Sequence, residues 1–323
     1  MLLEATPYSI ELATPFVISR GARTHCHTVR VTISHNHQQG IGECTPYPRY
    51  GESVESVIAQ IESWTSDLIR LSPQEAKQHL QSMPAGAARN AVDCVLWDLI
   101  GKLEGISFPS PLFTISPAIE TAMTVSIGDT EAMAKQAKQY VDQGATLLKV
   151  KLDDESVVER VTAVRTAAPN CKIILDANEA WSSLDLEQLF EQLAPFDITM
   201  IEQPLPSGED QLLASIKRPI PLCADESCHT RAQLADLNGL YEMINIKLDK
   251  TGGLTEALLL EKQARNEGFA IMAGCMLGTS IAMKAALPIA TNAEVVDLDG
   301  PVLLGEDIED GLKYHSGKLH LNQ

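Results

Sequence analysis

From about residue 121 onward the chain repeats one unit, a short apolar strand followed by an amphipathic helical stretch. The strand-like segments read TAMTVSI, TLLKVKL, KIILDAN, ITMIEQP, PLCADES, MINIKLD, AIMAGCM and VVDLDGP. Stretches such as TEAMAKQAKQYVDQG and SVVERVTAVRTAAP lie between them. Strands that alternate with helices pair in parallel, and eight is the number that closes a TIM-type barrel. An open doubly wound sheet has the same rhythm, but neither GxGxxG nor GxxxxGK[ST] follows the first strand, which weakens its nucleotide-binding forms. The repeat spans about 180 residues against the ~250 typical of such barrels, so it needs short loops or an abbreviated helix.

Residues 1–115 have a different texture. Alternating segments (EATPYSIELA, HTVRVTISH) precede a hairpin candidate, HNHQQG, and helical patterns run from Ser53 to Leu71 and from Ala85 to Leu103. This predicts an α+β domain, a weakly structured joint around SFPSPLFTISP, a barrel over 116–301, and a tail over 302–323 that packs back on the first domain.

Composition narrows the function classes. A net charge of −18 argues against a nucleic-acid partner. No stretch reaches the ~18 continuous apolar residues of a membrane span. The opening MLLEATPYSIEL has no basic region ahead of an apolar run, so a cytoplasmic protein is expected. Seven scattered cysteines with no CxxC pair suggest neither a disulfide framework nor a structural zinc site. A small-molecule partner is expected, and a homo-oligomer is compatible with the sequence.

The charges of the barrel half fall at its strand ends. Lys151, Asp176, Glu202, Asp225 and Lys247 follow one another at intervals of 25, 26, 23 and 22 residues, each about one strand-plus-helix unit. The spacing puts them at equivalent heights on one ring, at the end of the barrel where active sites are built. Any one acid alone reads as a strand cap or a salt-bridge partner. Three on neighbouring strands, with no His or Cys at matching positions, suit a hard cation, Mg²⁺ rather than zinc.

Lys149 and Lys151 share a strand face roughly 6–7 Å apart. In a closed ring of eight the second strand lies opposite the sixth, so Lys151 and Lys247 would face each other across the mouth. Moving a proton from one face of a carbon next to a carboxylate to the other needs a base on each side, with a cation to stabilise the developing charge. Lys149 beside Lys151 would disfavour the ammonium form and bring Lys151 toward the operating pH.

The motifs KVK at 149–151, DAN at 176–178, EQP at 202–204, DES at 225–227 and NIKLDKTGG at 245–253 together resemble the enolase superfamily, in its muconate-lactonizing subgroup. The resemblance implies an α+β cap over a (β/α)₇β barrel. It also implies one Mg²⁺ held by Asp176, Glu202 and Asp225, with Lys151 and Lys247 as the acid/base pair; the superfamily's lysine base and Mg²⁺ are a general pattern. The subgroup contains cycloisomerases, o-succinylbenzoate synthases, N-acyl amino acid racemases and dipeptide epimerases.

The eighth strand separates these activities. Asp297 and Asp299 on one face ask for a cation, such as the free α-ammonium of a peptide. This DxD pattern, with CMLGTS at 275–280, is similar to the L-Ala-D/L-Glu epimerases, which implies a dipeptide substrate and a place in murein peptide breakdown. Arg23 in RGARTHCHT matches the arginine that group uses for a glutamate side chain, with Arg20 and Arg49 as rivals, and Thr124 joins the expected substrate contacts. A lyase or cycloisomerase on the same scaffold, and a metal-stabilised binding protein, are the competing expectations. Some of the subgroup carries a Glu after the seventh strand where this chain has Gly278-Thr279-Ser280. His25, His27, His35 and His37 are expected in a solvated loop, since no acid or Cys completes a metal set.

Overall fold

The structure is a computed structural model and describes residues 1–321. The chain opens with a three-stranded antiparallel meander, β1 (Leu2–Ile18), β2 (Gly21–His35) and β3 (Gln38–Cys44). Asn36 and His37 make the β2–β3 turn with positive φ, the backbone state a tight hairpin of this kind demands. Against the sheet pack α1 (Val54–Leu68), α2 (Pro73–Leu80) and α3 (Ala87–Leu103), around a core that includes Val31, Ile33, Ile61, Leu80, Val92 and Leu96. The sequence reading missed α2, although Ser72-Pro73 with Glu75 is a capping box with proline at the first helical position.

The barrel half follows β4 (Ala118–Glu120). It runs β5 (Met123–Val125), α4 (Thr130–Asp142), β6 (Leu147–Lys151), α5 (Val157–Ala167), β7 (Lys172–Asp176), α6 (Leu186–Leu193), β8 (Ile198–Glu202) and β9 (Leu222–Ala224). It continues through α7 (Leu234–Leu237), β10 (Met243–Ile246), α8 (Leu248–Thr251), α9 (Leu254–Asn266), β11 (Ala270–Gly274), α10 (Ser280–Ala290), β12 (Val295–Asp297) and α11 (Gly300–Leu303). The eight strands β5–β12 pair in parallel in chain order. The ring closes beside β5 and β12, where Ala122 N donates to Val296 O at 2.8 Å and Leu298 N to Thr121 Oγ1 at 2.9 Å. The unit is shortened where the repeat length required. The β8–β9 link holds a 3₁₀ turn over Asp210–Ala214, and α7 has four residues.

The tail divides its contacts. Leu304 bridges to Leu12 and Gly305 N donates to Glu11 O, on β1, while β13 (Lys313–His315) and β14 (Lys318–His320) extend a small sheet on β4.

The barrel interior is layered. Ala122, Leu147, Ile174, Met200, Cys223, Met243, Met272 and Val295, one from each strand or its approach, form an apolar plug. Because a strand shows the same face every second residue, two residues on from each plug member stand Thr124, Lys149, Asp176, Glu202, Asp225, Asn245, Gly274 and Asp297. This second tier is polar apart from Gly274, and all seven of its polar side chains are buried. Lys151, Lys247 and Asp299 stand one inward step farther out, so the single ring of charges expected from the spacing resolves into two tiers.

Candidate active site

The second tier is organised by Lys149. Its Nζ lies 2.7 Å from Glu202 Oε2, 2.7 Å from Asp297 Oδ2 and 3.0 Å from Asp176 Oδ2. Burial alone would lower its pKa, but the Asp297, Glu202 and Asp176 carboxylates outweigh burial and hold it well above the ordinary value. Lys149, expected from the sequence to tune Lys151, has these three acids as its direct partners. Asp176 Oδ2 stands between the two ammonium groups, 2.6 Å from Lys151 Nζ, and screens one from the other. Lys149 is the shared counter-ion of three acids.

Lys151, on β6, also reaches Asn178 Oδ1 at 3.2 Å. Lys247 follows β10, four strands around the ring, so the two lysines project from opposite sides of the mouth. Lys247 Nζ lies 2.6 Å from Asp225 Oδ2 and 4.0 Å from Glu202 Oε1. Burial again pulls its pKa down, and Asp225 and Glu202 more than reverse it. Asp225 is held well below the carboxylate range because Lys247 and Lys250 outweigh its burial. Glu202 is pushed up to about 7 by burial and by Asp176.

Sequence reasoning passed over Lys250. It is fully buried, pairs with Asp225 Oδ1 at 2.7 Å, and donates to the backbone oxygens of Asp225, Cys228 and Asn245. The signal was present inside the NIKLDKTGG motif, where the helical turn of α8 brings Lys250 against the segment that follows β9. Gln203 was missed too. Its φ of 39° lies in the left-handed region, and its Oε1 accepts from Asp225 N at 2.9 Å and Ser227 N at 3.1 Å, fastening the end of β8 to the loop after β9.

At the seam, Asp299 Oδ2 accepts from Thr124 N at 2.7 Å. Asp299 is pushed up to about 7 by burial and by the neighbouring Asp297. Asp297 Oδ1 is buried and, among the described residues, makes no hydrogen bond. Thr124, Asp297 and Asp299 line one cavity together with Lys149, Lys151, Asp225 and Lys247.

The cap closes the cavity from above with Phe16, Ile18, Arg20, Arg23, Tyr47 and Tyr50. Arg20 pairs with Glu179 at 3.1 Å and Glu226 at 2.8 Å, and Arg49 pairs with Glu179 at 2.7 Å, so both rivals are engaged in ion pairs. Arg23 sits on β2 with its guanidinium 5.0 Å from the Tyr47 ring and makes no ion pair among the described residues. Its side chain lines the cavity beside Tyr47. The histidines are not in a loop. His25, His27 and His35 lie on β2, the first two exposed and stacked at 6.3 Å, and only His37 is in the turn. In place of the subgroup's Glu after the seventh strand, Thr279 donates from N and Oγ1 to Glu43 Oε1 on β3, each at 2.8 Å, and ties the barrel to the cap.

Asp176, Glu202 and Asp225 stand on adjacent strands as a donor set of carboxylate oxygens alone, the chemistry of a hard cation. As the side chains stand, no three His, Cys, Asp or Glu groups among the described residues converge closely enough to enclose an ion, because each acid leans on a lysine. Glu202 Oε2 and Asp225 Oδ1 are nevertheless buried without a hydrogen bond among the described residues, engaged only at ion-pair range. A divalent cation fits this set and offsets the mutual repulsion of the acids.

Residues 4–110 match the mandelate racemase / muconate lactonizing enzyme N-terminal domain, and residues 132–323 the enolase C-terminal domain-like family. The chain belongs to the enolase superfamily. An L-Ala-D/L-Glu epimerase of Escherichia coli strain K12 is 49% identical over 96% of each chain. An N-acetyl-D-glutamate racemase of Pseudoalteromonas is 43% identical over 90% of this chain and 91% of its own. A dipeptide epimerase of Enterococcus faecalis V583, solved with Mg and L-Leu-L-Tyr, superposes with a TM-score of 0.91 at 27% identity, covering 99% of this chain and 96% of its own. As a superfamily member the chain carries its polar tier where the barrel meets the capping domain.

Proposed function

We propose that this protein is a Mg²⁺-dependent dipeptide epimerase that inverts the α-carbon of the C-terminal residue, with L-Ala-D/L-Glu as substrate. The carrying observation is the pair of lysines on opposite sides of one buried, acid-lined mouth. The likeness to an L-Ala-D/L-Glu epimerase over nearly the whole of both chains supports it. Asp176, Glu202 and Asp225 would hold the ion, whose positive charge would stabilise the charge that develops next to the substrate carboxylate. One of Lys151 and Lys247 accepts the α-proton as a neutral amine, and the other, as an ammonium, returns a proton to the opposite face. The two have exchanged protonation states when the turnover ends.

Asp297 and Asp299 receive the substrate's α-ammonium, the one group that distinguishes a dipeptide from an N-acylated amino acid. Arg23 reads the glutamate side-chain carboxylate, to which a planar guanidinium can bind with two hydrogen bonds. The chain works in the cytoplasm on peptides released from cell-wall material.

Incubation in D₂O with Mg²⁺ and a panel of L,L-dipeptides, followed by proton NMR, tests the proposal. L-Ala-L-Glu should lose its C-terminal α-proton signal as the L-Ala-D-Glu diastereomer grows. Exchange with N-acetylglutamate alone would move the assignment to an N-acyl racemase, and no exchange across acidic, basic and apolar peptides would sink it.

A further inference from the structure

The second tier has one member with no side chain, Gly274, and that gap is filled from the next strand. Asn245 on β10 is fully buried, and its Nδ2 donates to Glu202 Oε1 at 2.7 Å. A carboxylate only accepts, so the amide nitrogen is the end that must face Glu202. The other end, Oδ1, makes no hydrogen bond among the described residues and lies against Gly274. A Cβ on Gly274 would stand 2.4 Å from Asn245 Oδ1, 2.7 Å from Nδ2 and 3.0 Å from Cγ. Gly274 has no positive φ, so its backbone accepts any L residue and the requirement for glycine is one of space alone. The whole Asn245 amide occupies the volume a side chain at 274 would claim.

We propose that Asn245 is a positioning residue for Glu202, and that Gly274 is the gap that allows Asn245 to take up that position. The inference rests on the reading of Glu202 as a Mg²⁺ ligand. Asn245 holds Oε1 on the β10 side of the carboxylate, which sets the plane in which Oε2 is presented. Without that donor the acid has only Lys149 and, at 4.0 Å, Lys247 to orient it. Lys149 also holds Asp176 and Lys247 also holds Asp225, so either lysine acting alone would turn the carboxylate toward one neighbouring acid rather than between the two. Outer contacts of this kind commonly change metal affinity by about 10–100-fold.

The test is a double-mutant cycle on Mg²⁺ affinity, read from the Mg²⁺ dependence of thermal unfolding, with kcat at saturating Mg²⁺ measured alongside. Asn245→Ala should weaken Mg²⁺ binding about 10–100-fold, and raising Mg²⁺ should recover part of the accompanying loss in kcat. Gly274→Ala should weaken it to a similar degree by displacing the amide. In the Asn245→Ala background Gly274→Ala should cost almost nothing more, because the two changes remove one interaction. Gly274→Ala with unchanged affinity, or losses that multiply in the double variant, would overturn the proposal. If Gly274→Ala does not fold, Asn245→Asp decides the matter, since a second carboxylate at Glu202 Oε1 should weaken binding more than Ala does. A parent chain that gains no stability from Mg²⁺ would instead remove the ligand reading beneath it.

Discussion

The plug and the tier above it are built by the same eight strands, on the same face, two residues apart, and they solve opposite problems. In the plug, Ile174, Met200 and Met272 have no exposed surface, and dispersion and water release hold the ring together. In the tier, Asp176, Glu202, Asp225 and Lys149 are just as buried, and each charge is tolerated only because an opposite one lies within 3.0 Å. Burying a charge costs several kcal/mol even after relaxation. The tier therefore draws on the stability the plug supplies, a cost that its proposed chemistry would account for.

Variants that break this division rank by effect. Lys151→Ala and Lys247→Ala should each lower epimerisation by about 10²–10⁴-fold, the range of a lost general acid or base. One of them should retain α-proton exchange from a single face. Full activity in Lys247→Ala would end the two-base assignment. Lys149→Met should cost about 3–5 kcal/mol in urea unfolding with chelator present, because three buried carboxylates lose their common cation. Mg²⁺ should restore part of that loss. Met200→Ala should cost a comparable or smaller amount, about 2–5 kcal/mol from lost burial and a cavity, but Mg²⁺ should stabilise this variant only as much as it stabilises the parent. If Mg²⁺ affects both variants alike, plug and tier are not separate in their energetics. Arg23→Met should raise KM for acidic dipeptides by about tenfold and leave apolar ones unchanged, the scale of one lost charged hydrogen bond in mutational series. An equal loss for all substrates would place Arg23 outside side-chain recognition.

The barrel was legible because its signal repeats. The interval from Lys151 to Lys247 samples five consecutive units, so the register of the charges tolerates uncertainty in any one strand. The role of Lys149 was not legible, because two lysines on one strand face look alike until the distances to Asp297 and Glu202 are known. Asn245 and Gly274 escaped for a related reason. Their meaning is a contact between adjacent strands 29 residues apart, and nothing local marks it. Helix α2 was overlooked although its capping box is written in the chain. Arg23 is preferred to Arg20 and Arg49 by resemblance alone, and the ion pairs of the other two with Glu179 and Glu226 could not be read from the chain.

Asp249 offers the finest test of the comparison, since it is a buried acid just outside the tier that has no lysine. Its Oδ1 accepts from Thr45 N at 3.1 Å and Asn90 Nδ2 at 2.9 Å, and no cation pairs with it among the described residues. Burial first, with Glu52 and Glu43 adding to it, pushes its pKa up to about 7, and the hydrogen bonds from Asn90 and Thr45 only partly oppose this. In the unfolded chain the group titrates near 4. The folded state therefore binds the proton more tightly. The contribution is fully present below about pH 4 and is lost as pH rises through 7. Asp249→Asn keeps a neutral acceptor for both donors and removes the titration. The variant should gain on the parent between pH 5 and pH 8 by on the order of 1–3 kcal/mol, read from urea midpoints at each pH. Comparing the two chains cancels the shared titrations of Glu202, Glu226 and Asp299. A stability difference that stays constant from pH 5 to pH 8 would mean that Asp249 is already ionised in the fold, stabilised by its two donors as the tier acids are by their lysines.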